Sequence, residues 1–237
     1  MKNVLIIADV AGEMDALLRL VALVPPDTIK VSVGDMCDRG KRSKEVFEYF
    51  MDGYGVDKFA LLGNHEHMML EHYRRSGARY YERGTWHWNG GGATLDSYPN
   101  KKVPDDVLNW VGSLPVFMEF GDQPKLFVSH APSMWELEFV RTHKTRDVFE
   151  MIWNRFEPIY DPGYFQVFGH NSHWGLREFR REGVGTPYAL CIDQSRTKRA
   201  LTGYLYPEGR VIEVPYDDEE KILAVPYPTP DGDGDDD

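Results

Sequence analysis

Five short signatures constrain this chain most: ADVAGE (8–13), GDMCDRG (34–40), GNHE (63–66), SHAP (129–132) and GHNSH (169–173). Each follows a strand-like apolar run, so Asp9, Asp35, Asn64, His130 and His170 fall just past the ends of expected strands. Strand ends are where open α/β sheets build their sites. Carboxylates, one amide oxygen and neutral imidazoles gathered together make a hard-to-borderline metal site, and a carboxylate shared between two ions suits a two-metal hydrolase. The pattern reads as a binuclear metal enzyme.

The segments between the signatures support an α/β arrangement. VLIIA leads to Asp9, and MDALLRLVALV then places Met14, Leu17, Leu18 and Val21 at helical spacing before Pro25-Pro26 stops it. IKVSVG leads to Asp35 and a helix-like KEVFEYFM, and FALLG leads to Asn64 and HEHMMLEHYRR. A middle region from about 67 to 120 is richer in helix signals, including Pro104-Asp105-Asp106 before VLNWVGSL, and is expected to cap the site. LFVS, FQVF, YALCI and RVIEV read as later strands, the last two divided by the polar QSRTKR segment. The expected class is α/β, layered, with a mixed sheet system.

With 237 residues, 42% of them hydrophobic, there is material for one large core and no clear internal linker, so residues 1–230 read as one domain. Residues 231–237, DGDGDDD, read as a disordered acidic tail; the calcium-loop resemblance fails because the chain ends before a twelfth-position glutamate. The net charge of −11 misleads, because nine of the acids lie in 217–220 and in the tail, and removing them leaves −2. No basic stripe suggests an extended nucleic-acid partner. Two cysteines, Cys37 and Cys191, are too few for a disulfide framework and read as reduced, buried thiols of a cytosolic protein. The N-terminal apolar run is too short for a signal-peptide core, and no stretch approaches the roughly 20 apolar residues of a spanning helix, so no membrane partner is expected.

The spaced GDMCDRG and GNHE motifs, joined by NGGG (89–92), IWNR (152–155) and FGH (168–170), give the chain a resemblance over nearly its whole ordered length. It resembles the phosphoprotein phosphatase branch of the calcineurin-like metallophosphoesterases, and most of all the bacteriophage-lambda-type serine/threonine protein phosphatases. The resemblance implies two mixed β-sheets in a sandwich flanked by helices, with two divalent ions at the sheet edge. Manganese is the expected metal, with iron, zinc or nickel as alternatives.

Carried over by position, the resemblance makes Asp9 a ligand of the first ion, Asp35 the bridge, and Asn64, His130 and His170 ligands of the second. A water bridging two cations would supply a hydroxide for in-line attack on phosphorus at neutral pH, with no covalent phosphoenzyme. His65 would protonate the leaving oxygen, Asp38 would orient its ring, and Arg39 and Arg155 would clamp the phosphoryl oxygens with their planar forks. His67, His72, His87 and His143 carry no such role and read as surface or core residues. Asp193, followed here by Gln194-Ser195 rather than the family's small residues, reads as structural.

The main departure is at Asp9-Val10-Ala11-Gly12, where the family has Asp-x-His-Gly. Alanine has no lone pair to offer, so the first-ion site is expected to be weakened, with His173 as the alternative imidazole for that position. The expected function is a metal-dependent phosphomonoesterase acting on phosphoproteins or phosphopeptides and on small aryl phosphates, impaired at Ala11 as an inactivated or substrate-trapping variant would be. One alternative is a dinucleoside polyphosphate hydrolase, against which Asp38 argues, or a nucleotide or RNA-end phosphodiesterase. A weakly catalytic, phosphate-binding regulatory module is the other, and it rests on Ala11 alone.

Overall fold

A computed structural model of the chain describes residues 2–74, 84–122, 125–134, 136, 148–217 and 223–226. The acidic tail and His143 lie outside the described residues. The fully buried run Val4–Ile7 forms β1, with every side chain inside, which is why it reads as continuous rather than alternating. Its Leu5 and Ile7 turn to one core and Val4 and Ile6 to another, as the two-residue period of a strand requires.

β1 pairs in parallel with β2 (Ile29–Ser32), which pairs in parallel with β3 (Lys58–Ala60). On its other side run the antiparallel strands β9 (Ala200–Tyr206), β10 (Arg210–Pro215) and β11 (Leu223–Pro226), completing a six-stranded mixed sheet. The second sheet has the order β4-β5-β6-β8-β7 and is also mixed. Here β4 (Phe117–Phe120) is antiparallel to β5 (Lys125–Ser129), and β6 (Tyr164–Phe168) is parallel to both β5 and β8 (Pro187–Cys191). The edge strand β7 (Arg177–Arg180) is antiparallel to β8.

The sheets pack face to face: Val4, Ile6, Val31, Val33 and Leu61 of the first meet Leu126, Val128, Phe165, Val167 and Leu190 of the second. The outer face of the six-stranded sheet is covered by α1 (Met14–Val21), α2 (Ser43–Met51), α3 (Asn64–Arg74), α4 (Gly92–Ser97) and α5 (Asp105–Val111). The outer face of the other sheet carries a smaller cluster, in which Phe127 packs on Met151 of α6 (Val148–Trp153). This is the expected two-sheet sandwich flanked by helices. No described helix is long and apolar enough to cross a membrane.

Three details depart from the sequence reading. The interval between YALCI and RVIEV holds a whole strand, β9, and that strand lies next to β1 in the centre of its sheet. Gly203 interrupts its hydrophobic pattern for a packing reason, since a Cβ there would come within 2.8 Å of a Leu5 methyl and 3.1 Å of Leu20. The same approach turns α1: Met14, Ala16, Leu17 and Leu20 are buried, whereas Leu18 is 44% exposed and Val21 only half-buried. Finally, the described part of the 67–120 region does more than cover the site. Trp86, Tyr98, Val103, Val107 and Val111 belong to the main core behind it. The two cysteines are free and buried, as expected.

Candidate metal centre

The βα connections carry the motif residues onto one edge of the sandwich. Ala11, Asp35, Asp38, Arg39 and His170 all adopt left-handed backbone, with φ of 50°, 50°, 71°, 60° and 64°. Non-glycine residues rarely do so, and such strain collects at sites where surrounding structure imposes it. The loops interlock through backbone: Ala11 N–H donates to the Asp35 carbonyl at 2.9 Å and Gly12 N–H to that of Met36 at 2.9 Å.

Asn64 and His65 open α3, so their placement follows from a helix N-terminus packed against the GDMCDRG loop. The His65 amide donates to Asp35 Oδ1 at 2.9 Å, a free first-turn N–H meeting a carboxylate. Gly63 lets the loops come this close, because a Cβ at that position would sit 2.3 Å from both the Asp35 nitrogen and its Oδ1.

Asp35, His130 and His170 form the one group of three or more candidate ligands that can close on an ion among the described residues, with their donor atoms within 4.8 Å of one another. Asn64 Oδ1 lies 3.0 Å from His130 Nε2 and 2.8 Å from His170 Nδ1, and His130 Nε2 lies 3.4 Å from Asp35 Oδ1. His130 Nδ1 is 3.2 Å from the Val33 carbonyl, a contact that needs an N–H there and so leaves a lone pair on Nε2. Burial pushes His130 towards its neutral form, and burial together with the neighbouring His130 charge pushes His170 down to about 3. The lone pair on His130 Nε2 faces the Asn64 and Asp35 oxygens, and a cation among them would turn that repulsion into coordination. These residues fit a divalent ion.

Asp9 stands outside that tight group, although its Oδ1 accepts the His170 amide at 3.1 Å and it is 2% exposed. Beside the ligand set, His65 Nδ1 is 2.5 Å from Asp38 Oδ2. Burial opposes protonation of His65, but the Asp35 charge and the Asp38 hydrogen bond outweigh it and raise its pKa. Arg39 Nη2 donates to His65 Nε2 at 2.7 Å, and Arg155 Nη1 donates to Asn171 Oδ1 at 3.1 Å. Arg39 and Arg155 are both exposed residues. Of the histidines expected to stand apart, His72 packs at 5.1 Å from Trp86, and His67 and His87 join no ligand group. Burial, and after it the Arg177 charge, lowers the His173 pKa, and His173 joins no ligand group among the described residues.

Sequence reasoning missed the residues that hold the loops. Glu66, fully buried, accepts backbone N–H groups of Asp35 and Met36 at 2.8 Å each, Gly63 at 3.0 Å and Cys37 at 3.3 Å. Burial, then the Asp35 charge, pushes its carboxyl up to about 7 in spite of these donors. Asp38 is fixed in turn by Thr94 Oγ1, donating at 2.6 Å, and by Trp86 Nε1 at 3.0 Å. The only signals were the last letter of GNHE and the residues flanking NGGG, and neither spacing says that they reach back across the fold. Glu66→Ala would orphan four loop N–H groups, so a loss of roughly 3–5 kcal/mol is expected at about 1–3 per unsatisfied donor after partial rehydration. Urea unfolding checks it, and a change below about 1 kcal/mol would show the loop holds without that carboxylate.

A two-sheet α/β sandwich with carboxylate, amide and imidazole donors on one edge defines a metal-dependent hydrolase scaffold. The sequence profile of the calcineurin-like phosphoesterases matches residues 2–191, and the chain belongs to that family. No curated protein matches the sequence. Among solved structures, a Saccharomyces cerevisiae serine/threonine phosphatase with similarity to human PP5 is 13% identical, with 97% of this chain and 81% of that one covered and a TM-score of 0.57. A chain proposed to be a diadenosine tetraphosphatase is 20% identical over 95% and 94% of the two chains, with a TM-score of 0.55. A cold-active protein tyrosine phosphatase of a Shewanella species is 17% identical over 94% and 80%, with a TM-score of 0.54. At these identities the likeness is one of fold.

Proposed function

We propose that the protein is a metal-dependent phosphomonoesterase of the protein phosphatase type, slowed by the alanine at position 11. The observation that carries this reading is the Asp38–His65 pair, closed at 2.5 Å beside the Asp35–Asn64–His130–His170 group. Two divalent cations held by Asp9, Asp35, Asn64, His130 and His170 would lower the pKa of water and draw charge from the phosphoryl group. His65 delivers a proton from Nε2 to the leaving oxygen, while Asp38 holds Nδ1–H and stabilises the charged ring.

Arg39 gives this step an order. With its guanidinium on His65 Nε2, the nitrogen that must carry the proton is occupied as an acceptor. A phosphate dianion is the better partner for an arginine fork. On binding, it draws Arg39 onto the phosphoryl oxygens and frees Nε2 for protonation, with Arg155 closing from the opposite loop. A phosphopeptide or small aryl phosphate meets these requirements, because one dianionic group engages both arginines.

The second reading, hydrolysis of dinucleoside polyphosphates, is favoured by the nearly complete mutual coverage with the chain proposed to be a diadenosine tetraphosphatase. Asp38 and its three hydrogen-bond partners suit the monoesterase better, since a phosphoanhydride leaves without a proton and needs no fixed acid. The deciding experiment assays this chain and Ala11→His, with added manganese, on phosphopeptides, aryl phosphate diesters and dinucleoside polyphosphates. Turnover of the dinucleotides alone would overturn the monoesterase reading.

Metal binding tests the ligand assignment separately. Calorimetric titration with manganese is expected to give one tighter and one weaker event, the tighter lost in His130→Ala. Two equally tight events, or a tight event that survives His130→Ala, would refute the assignment.

A further inference from the structure

Arg155 is held by an amide where other arginines of this protein are held by acids. Arg42, Arg177 and Arg180 each form an ion pair, whereas among the described residues Arg155 meets only the side-chain oxygen of Asn171, to which Nη1 donates at 3.1 Å. An exposed arginine otherwise samples many rotamers, and fixing it on a ligand then costs side-chain entropy.

Both ends of this contact are anchored on an imidazole loop. At the backbone end, buried Asn154 donates from Nδ2 to the Pro132 carbonyl at 2.7 Å and accepts the Phe156 amide on Oδ1 at 2.9 Å. The chain on either side of Arg155 is thereby tied to the segment just after His130. At the guanidinium end, Asn171 follows His170 in a three-residue turn, closed by Asn171 N–H on the Gly169 carbonyl at 2.7 Å with His170 at φ 64° in its middle. The Cys191 thiol supports the turn from β8, 3.4 Å from the Gly169 carbonyl and 3.3 Å from that of Asn171. On its other side the turn is pressed against Asp9, since a Cβ on Gly169 would fall 2.2 Å from Asp9 Oδ1. The Asn171 backbone is thus fixed without the use of its side chain. Arg155 spans the two loops whose rings, His130 and His170, stand 5.0 Å apart.

The chemistry of the acceptor matters as much as its place. A carboxylate would hold the guanidinium in an ion pair that competes with an incoming phosphate, whereas a neutral amide takes one N–H and adds no charge. With Nη1 on Asn171, the side-on fork of Nε and Nη2 is left for two phosphoryl oxygens.

We propose that Asn171 is the positioning residue of the phosphate clamp, holding Arg155 beside the His130 and His170 loops before substrate arrives and so raising the affinity for a phosphoryl dianion. It acts through Arg155, by removing in advance the disorder that binding would have to remove. This rests on the reading above that Arg155 clamps the phosphoryl oxygens.

The test uses inorganic phosphate, titrated calorimetrically into the manganese-loaded protein. Asn171→Ala should weaken phosphate by about tenfold, the scale of one hydrogen bond to a charged group, while manganese binding is unchanged. The deciding arm is a double-mutant cycle: in an Arg155→Ala background, Asn171→Ala should cost nothing further, because the asparagine acts only through the arginine. Additive losses, or a fall in manganese affinity in Asn171→Ala alone, would show that Asn171 merely holds the His170 turn and would overturn the proposal. Asn171→Ser, whose side chain is too short to reach the guanidinium, takes the place of the alanine in the same cycle if that variant does not fold. Phosphate binding that Arg155→Ala leaves unaltered would instead refute the clamp reading itself, so the two failures are distinguishable.

Discussion

Replacing His65 by asparagine in the Ala11→His background is expected to slow hydrolysis of phosphoserine peptides by about 10²–10⁴-fold, the contribution typical of a positioned general acid. An alkoxide is a poor leaving group and depends on the proton from Nε2, whereas a nitrophenolate departs without one. Aryl phosphates should therefore lose far less, and the defect should grow with leaving-group pKa. The substitution leaves the His65 amide on Asp35 in place, so the ligand geometry is retained. Equal losses across a leaving-group series, measured as kcat, would show that His65 only positions the loop. Manganese titration of the same variant should be unaltered, which separates lost proton transfer from lost metal.

Ala11→His is expected to raise activity at least about tenfold, with the largest gain at limiting manganese, following the 10–100-fold scale for perturbed metal shells. The cost to folding should be small. Position 11 already sits at φ 50°, where histidine is among the residues found more often than most, and its backbone bond to Asp35 does not involve the side chain. Ala11→Leu adds bulk without a lone pair and should give no gain. If the histidine variant binds no tighter at the weaker event and turns over no faster, position 11 is not part of the metal shell and the proposal that Ala11 slows the chain fails. Both variants should be read against total manganese bound, since a gain in stability alone would raise the yield of folded protein without changing the binding curve.

Much of this architecture was legible in the chain because each motif lies where a strand stops. A strand buried on both faces leaves a short apolar run, and the first polar residues beyond it are forced to one edge of the sheet. That is why Asp9, Asp35, Asn64, His130 and His170 could be named from spacing. The middle region was harder. Trp86 and Thr94 act on Asp38 from 48 and 56 residues away, and a tryptophan or threonine with such a role looks the same in sequence as one packed for bulk. Leu18 and Leu20 show the same limit on a smaller scale. Both are apolar and both fit a helical stripe, and only the approach of β9 at Gly203 decides that Leu20 is inside.

The sequence by itself determined the donor types at the strand ends, the Asp–His–Arg grouping within two short motifs, and the alanine at position 11. Those are local facts: identity, and the distance along the chain from an apolar run. Only the tertiary structure decided which acids are shared. Glu66 receives three amides from the 35–37 loop about thirty residues away and one from Gly63 beside it, and Asp9 accepts the His170 amide because the packed sheets bring the ends of β1 and β6 together. Whether a buried carboxylate caps a loop or pairs with a histidine depends on which strand ends the sandwich brings together. That choice is made by long-range packing of apolar faces, which carries no mark in the spacing of the polar residues themselves.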